Sequence, residues 1–230
     1  MERAGQDDPA GAAKSAQLSA ARGEYESFQI VIKAPQGGLT NVNVSRPDLR
    51  GEKGQVISGK NVWLFREQYV LARSGSPDWM GNTPSGPGLY ADALIPFFHP
   101  DTGRPLSGAA LTAAPFSVDA GKNQPIWVDV FVPRNAAAGA YTATFTIAGD
   151  QWQESIPLTL TVWDFTLPLK PTLKTFFELW NDQSKAACTE LLRHRVMPDR
   201  VNPAWEREFI DTWGLNSANL GFFSGADVKH

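Results

Sequence analysis

One cysteine, three histidines and no long apolar run: what this 230-residue chain has little of narrows its possibilities first. A lone Cys188 excludes an intramolecular disulfide and any multi-cysteine metal site. It sits in an apolar helical pattern and reads as core. The histidines follow no metal-ligand spacing, and there is no G-x-S-x-G elbow, phosphate loop or H-E-x-x-H motif, so no cofactor and no metal is expected. Lys and Arg total 21 against 24 Asp and Glu, a net charge of −3 without a basic stripe. A nucleic-acid partner is therefore not expected. No stretch approaches the length of a membrane span. The opening MERAGQDDPAGAAKSAQ has no apolar h-region, so no signal peptide stands in this sequence, although a chain with its leader removed would look the same.

What is present is an ordinary globular composition, 42% hydrophobic and 20% charged, with eight Trp and thirteen Phe that suit a β-rich core or sugar faces. From about residue 24 to 165 the pattern alternates with period two. Phe28, Ile30 and Ile32 share one face; Trp63, Phe65 and Tyr69 alternate against Val62, Leu64 and Val70. Ile126, Val128, Val130 and Val132 point one way, with Trp127 and Asp129 opposite. Tyr141, Ala143, Phe145 and Ile147 form a fourth set, and Ile156, Leu158, Leu160 and Val162 a fifth. Turn clusters such as Pro35-Gln36-Gly37-Gly38 and Gly149-Asp150 separate them. One-sided strands imply facing antiparallel sheets. The expected fold is mainly β: an antiparallel sandwich over 24–167, after a flexible segment 1–23.

Residues 73–123, rich in Gly, Pro and Ser, read as one long irregular loop of the functional kind. It carries Trp79, Tyr90, Asp92, His99 and Asp101. After Trp163-Asp164-Phe165, Pro168 and Pro171 mark a stiff linker into an α/β fragment, 168–230. A strand is expected over Leu173 to Trp180. A helix follows, with Ala187, Cys188, Leu191 and Leu192 on one face. A second begins at Asn202 and Pro203, carries Trp205, Phe209 and Trp213, and stops at Gly214. Ala218 to Phe223 reads as a further strand. Strand, helices and strand make one β/α unit, too little to close a barrel. Its apolar side, with Phe176, Phe177, Leu220, Phe222 and Phe223, is expected to stay poorly covered and to favour self-association.

Ala21-Arg22-Gly23-Glu24-Tyr25-Glu26-Ser27-Phe28-Gln29, Phe65-Arg66-Glu67-Gln68-Tyr69-Val70 and Tyr90-Ala91-Asp92-Ala93-Leu94-Ile95-Pro96 carry a resemblance. So do Val128-Asp129-Val130-Phe131-Val132-Pro133, Gly139-Ala140-Tyr141, Val162-Trp163-Asp164-Phe165-Thr166-Leu167-Pro168 and Leu191-Leu192-Arg193-His194-Arg195. In this order they resemble a bacterial glycoside-hydrolase-like family, catalogued as a domain of unknown function, with an N-terminal β-sandwich and a C-terminal (β/α)8 barrel. That layout is similar to the β-N-acetylgalactosaminidase family. The resemblance implies a glycan partner, a secreted or periplasmic setting and an accessory sandwich. The catalytic carboxylates of such families belong to later barrel strands, so it assigns none here.

Among individual residues, Glu178 stands near the end of the expected barrel strand, where barrel enzymes place their chemistry, and is the candidate catalytic carboxylate; a solvated strand end is the plainer reading. Trp180 and Asn181 are candidates to stack on and hydrogen-bond a sugar, together with Trp79, Tyr90 and Asp92. Asp92, His99 and Asp101 match no calcium loop and read as turn caps. Glu24 and Glu26, on one strand face, read as solvated acids rather than a catalytic pair, and Asp164 as a cap or ion pair at the junction. Three functions remain open: an accessory sandwich of a glycoside-hydrolase-like protein, a free-standing carbohydrate-binding module using exposed tryptophans such as Trp79 or Trp127, or a small glycoside hydrolase.

Overall fold

The structure, a computed structural model, describes residues 4–75, 86–99, 102–106 and 110–217. The chain divides into two compact units, Met1–Phe165 and Thr166–His230. The first is a sandwich of two antiparallel sheets. The smaller sheet holds β2 (Tyr25–Lys33), β6 (Val62–Ala72), β7 (Gly88–Pro96) and β9 (Asn123–Phe131), in the order β2-β9-β6-β7. The larger sheet runs β1-β11-β10-β3-β8. Its strands are β1 (Ala16–Arg22), β3 (Leu39–Val44), β8 (Phe116–Val118), β10 (Gly139–Gly149) and β11 (Trp152–Thr166). The short strands β4 (Leu49–Gly51) and β5 (Val56–Ile57) are attached to it through β10.

The period-two residues meet between the sheets. Ile126, Val128, Val130 and Val132 are completely buried, as are Phe145 and Leu160 on the facing sheet. Phe28 meets Phe145 edge-on at 5.6 Å between ring centres, one of the cross-sheet contacts that join the layers. The β10–β11 hairpin turns at Asp150-Gln151, with Gln151 at φ 56°. Asp150 accepts hydrogen bonds from Thr40 Oγ1 (2.8 Å) and Asn41 Nδ2 (3.3 Å), tying the turn to β3. Gly149 permits this approach, because a Cβ there would lie 2.7 Å from the Thr40 carbonyl oxygen.

Two expectations are corrected in this unit. Residues 16–22 are not a flexible tail: they form β1 beside β11, with Ala20 and Ala21 fully buried. Small side chains alternate too weakly to announce a strand. Nor is 73–123 one irregular loop. Residues 88–96 form β7, paired along β6, and 116–118 form β8 on β3. Edge position explains the missing signal for β7: Leu89, Asp92, Ala93 and Leu94 are exposed, so its side chains follow no buried-face alternation. Between β6 and β7 the register steps from Gln68↔Ala93 to Tyr69↔Ala91, leaving Asp92 as the extra residue of a bulge. Beyond the bulge Val70 is exposed, although its parity matches buried Val62 and Leu64.

The second unit is built on two helices, α1 (Lys185–Arg193) and α2 (Pro203–Trp213). Ser184 caps α1 by accepting from the Ala187 N–H; Asn202 caps α2 by accepting from the Ala204 N–H, with Pro203 in the first turn. Gly214 closes α2 in the left-handed region at φ 76°, where a Cβ would lie 2.2 Å from the Leu169 carbonyl oxygen. Cys188, Leu192, Met197, Phe209 and Leu215 form the core, flanked by Trp205 and Trp213. The strand expected over 173–180 is reduced to a single parallel bridge, Phe177↔Pro198. The Phe177 N–H donates to the Met197 carbonyl (2.7 Å) and its carbonyl accepts from the Asp199 N–H (2.9 Å). The bonds flank Pro198, and the next donors turn to side chains instead: the Met197 N–H donates to Thr175 Oγ1 at 3.1 Å and the Leu179 N–H to Asp199 Oδ1 at 3.2 Å. The strand expected over 218–223, with Leu220, Phe222 and Phe223, lies outside the described residues. Phe176 and Phe177 are exposed. Among the described residues, no helix is long and apolar enough to cross a membrane.

Candidate functional site

The outward face of the smaller sheet carries an unusual side-chain grid. Since even-numbered residues of β9 and of the start of β6 point into the core, odd-numbered ones point out. The register sets two rows across three strands: Ser27, Asp129, Trp63 and Gln29, Trp127, Phe65. The tryptophans and Phe65 are half-buried. Beneath the indoles lies a polar layer. One oxygen of Asp129 accepts from Ser27 Oγ and from Trp127 Nε1, both at 2.6 Å. Gln29 Nε2 donates to the Glu67 carboxylate at 2.6 Å, and Gln124 Nε2 donates to the Glu67 backbone carbonyl at 2.8 Å. Tyr25 and Phe131 extend the aromatic surface, with ring centres 4.7 Å apart.

Electrostatics in this layer follow from burial. Glu67 is 5% exposed, and loss of hydration raises its pKa, against the pull of the Gln29 hydrogen bond. Tyr69 is pushed up to about 12, first by burial and then by the negative charges of Glu67, Asp8 and Asp7. Asp129 is 7% exposed. Both carboxylates are sealed and engaged by neutral donors, so they anchor the aromatic face rather than reach a glycosidic bond. Hydrolysis of that bond asks for two carboxyl groups in contact with the sugar.

A cleft of about 120 Å³ opens beside this face. Trp63 and Phe65 of β6 line it together with Pro96, Phe98, Arg46 and Lys60. The Arg46 guanidinium lies 4.0 Å from the centre of the Phe98 ring and donates to the Gly103 carbonyl at 3.3 Å. Lys60 is supplied by a one-turn 3₁₀ helix, Gly59–Asn61, capped by Ser58. Burial lowers the Arg46 pKa.

The residues singled out from sequence do not gather at one place. Tyr90 is half-buried on β7 and donates to the Gly86 carbonyl; Asp92 is the exposed bulge residue of the same strand. Trp79 and Asp101 lie outside the described residues. His99 is exposed, and its Nδ1 accepts from the Thr102 N–H at 3.4 Å. Glu178 is half-buried beside the Phe177↔Pro198 bridge, and no described hydrogen bond or ion pair includes it. Its neighbours Trp180 (78% exposed) and Asn181 face solvent. Glu24 and Glu26 do not share a strand. Glu24 lies in the β1–β2 turn, where Gly23 at φ 81° lets its carboxylate accept the Ala21 N–H at 2.6 Å. Asp164 pairs with Arg22 at 3.1 Å. Cys188 is buried, as its helical pattern indicates. Among the described residues no group of His, Cys, Asp and Glu could hold a metal ion. Sequence reasoning missed Arg46, Lys60 and Phe98; they converge only through the fold and carry no local signal.

Residues 3–149 match the family model of the glycoside hydrolase 123 N-terminal domain. The chain belongs to that family. A search of curated proteins finds no match. Among solved structures the chain is similar to a family 123 glycoside hydrolase from Clostridium perfringens, at 21% identity and a TM-score of 0.52. That match covers 73% of this chain but only 26% of the other, so the chain spans about a quarter of that enzyme. At this identity the likeness speaks for the fold. A VGSC beta subunit is 10% identical over 68% of this chain and 98% of its own, with a TM-score of 0.32. The CooA pilin subunit of enterotoxigenic Escherichia coli is 12% identical over 64% and 90%, with a TM-score of 0.31. Neither bears on function. The family-123 domain is thus a β-sandwich associated with glycoside hydrolases, with a small helical unit after it.

Proposed function

We propose that this chain serves as the accessory, glycan-contacting part of a family-123-type glycoside hydrolase, in the layout of the β-N-acetylgalactosaminidases: a sandwich ahead of a (β/α)8 barrel. The observation that carries the reading is the outward face with Trp63, Trp127 and Phe65 over a buried polar layer. Flat aromatic rings stack on the apolar faces of sugars, and the surrounding amides and carboxylates hold those rings in place. Family membership supports the carbohydrate context. A secreted or periplasmic setting is part of the same proposal. Tyr90, Asp92, Trp180 and Asn181 are secondary candidates for sugar contacts, and Glu178 is the candidate for a supporting carboxylate.

Titration of the full chain with neutral oligosaccharides, followed by NMR, tests the reading. Binding is expected at about millimolar to high-micromolar dissociation constants, since few contacts offset the cost of association. Trp127→Ala and Trp63→Ala are each expected to weaken it by about tenfold, roughly 1.4 kcal/mol. Binding that neither substitution alters would overturn the assignment of the face. Aryl glycosides are expected to show no appreciable turnover; robust turnover abolished by Glu178→Gln would instead make the chain a small hydrolase.

A further inference from the structure

The cleft beside the aromatic face joins two features that neutral sugars do not require together. Aromatic walls, Trp63, Phe65 and Phe98, stand next to two cations, Arg46 and Lys60. No carboxylate is among the described residues lining it. Arg46 spends one amino group on the Gly103 carbonyl and stacks on Phe98, and among the described residues neither it nor Lys60 has an ion-pair partner. Elsewhere on this protein the pattern differs: Arg22, Lys122, Lys185 and Arg207 each hold a carboxylate within 3.1 Å. Arg46 is also partly stripped of water, as its lowered pKa reflects. A half-desolvated guanidinium without a counter-charge is stabilised by an entering anion, which its planar fork can grip with two parallel hydrogen bonds. The size of the cleft narrows the ligand. About 120 Å³ exceeds what single waters need but falls well below the roughly 300–1,000 Å³ of a site that swallows a whole drug-sized molecule. It suits one charged group and the edge of the ring that bears it.

We infer that this cleft recognises an acidic sugar, its carboxylate held by Arg46 and Lys60 and its ring edge against Trp63 and Phe65. The inference rests on the glycan-contacting reading above and adds the charge of the ligand. Thr102, whose Oγ1 accepts from the Arg104 N–H at 3.4 Å, also lines the cleft.

The test is an NMR titration of the full chain with glucuronate, glucose and inorganic sulfate, repeated in high salt. Glucuronate is expected to shift the Trp63 indole N–H and the signals around Arg46, and to bind at least tenfold more tightly than glucose. Lys60→Gln, at an exposed position, is expected to weaken glucuronate at least fivefold, and Arg46→Gln more; high salt weakens it as well. Because Arg46 also packs on Phe98, Lys60→Gln carries the decision if Arg46→Gln fails to fold. Equal binding of glucose and glucuronate at the cleft, or glucuronate binding indifferent to Lys60→Gln, overturns the inference. Sulfate binding as tightly as glucuronate, with no loss on Trp63→Ala, reduces the cleft to a bare anion site and overturns it too. Neutral oligosaccharides on the Trp127 face separate the two failures: if they bind there while glucuronate leaves the cleft silent, only the inference falls. If no sugar binds anywhere, the proposed function falls with it.

Discussion

In the sandwich, burial comes at every second residue: Ile126, Val128, Val130 and Val132 of one strand are all inaccessible, and two layers of such strands close on each other. In the helical unit burial comes at Cys188 and Leu192, one helical turn apart, and at Phe209, with Met197 and Leu215 completing the core among the described residues. Leu173, Phe176 and Trp180 of the same unit are exposed. Many strands share the load in the first unit, whereas a few large side chains carry the second. The consequence is a difference in where each unit is vulnerable. The core of the sandwich tolerates loss of volume better than it tolerates charge, while the helical unit depends on single aromatic anchors.

The largest effect should come from Val130→Asp, which buries an unpaired carboxylate between the sheets. Roughly 5 kcal/mol or more of destabilisation is expected, and hydrogen exchange should show protection lost across β6 and β9 and equally across β10 and β11 of the facing sheet. Retained protection in β10 and β11 would mean that the two sheets do not share one core. Phe209→Ala comes next. It removes the fully buried ring that α2 packs against Cys188 and Leu192, and about 3–5 kcal/mol should be lost, read as faster exchange in α1 and α2. A loss below about 1 kcal/mol would contradict the single-anchor view of this unit.

One carboxyl in each unit responds to pH with a sign opposite to the other's. Burial holds the Glu67 carboxyl above its ordinary value of 4.5, so the folded chain binds that proton more tightly than the unfolded one. Its contribution is present at low pH and is lost as pH rises from 4.5 through the raised value. Glu190 on α1 is lowered, chiefly by its hydrogen bond with His194 and further by Arg193. Its contribution is present above 4.5 and disappears as pH falls through the lowered value. Glu67→Gln keeps an acceptor for Gln29 and is expected to raise the unfolding midpoint at pH 7, with a gain that shrinks toward pH 4.5. A uniform gain at all pH values would assign the effect to packing instead. The smallest expected effect is that of Lys185→Ala, which removes the 2.6 Å ion pair to Glu208 between α1 and α2. Both partners are nearly half exposed, so no more than about 0.5 kcal/mol should be lost, and less at high salt.

Legibility followed chemistry in each region. The faces of β2, β9, β10 and β11 could be read directly, because a strand covered on one side must alternate. Both helices could be read as well, since Ser184, Asn202, Pro203 and Gly214 are groups that satisfy or end a helix locally. Strand β1 hid behind alanines too small to alternate visibly, and β7 behind its edge position, where most side chains meet water. The strand expected at 173–180 failed for another reason. Apolar content can propose a strand, but the N–H groups that would extend the ladder, those of Met197 and Leu179, are taken by the side chains of Thr175 and Asp199.

The functional surface divides along the same line. That Trp63, Phe65 and Trp127 point away from the core was determined by the sequence, through strict parity with Val62, Leu64 and Val128. That they stand in two shared rows with Ser27, Gln29 and Asp129 was decided by inter-strand register, which depends on contacts about 60 to 100 residues away in the chain. The cleft depended still more on tertiary structure. Arg46, Lys60 and Phe98 belong to the β3–β4 connection, a 3₁₀ turn and the segment after β7, and nothing in the local pattern of any one of them requires the others. Side-chain direction is a property of the backbone period and can be read along the chain; convergence of charges is a property of how distant segments pack, and only the folded protein specifies it.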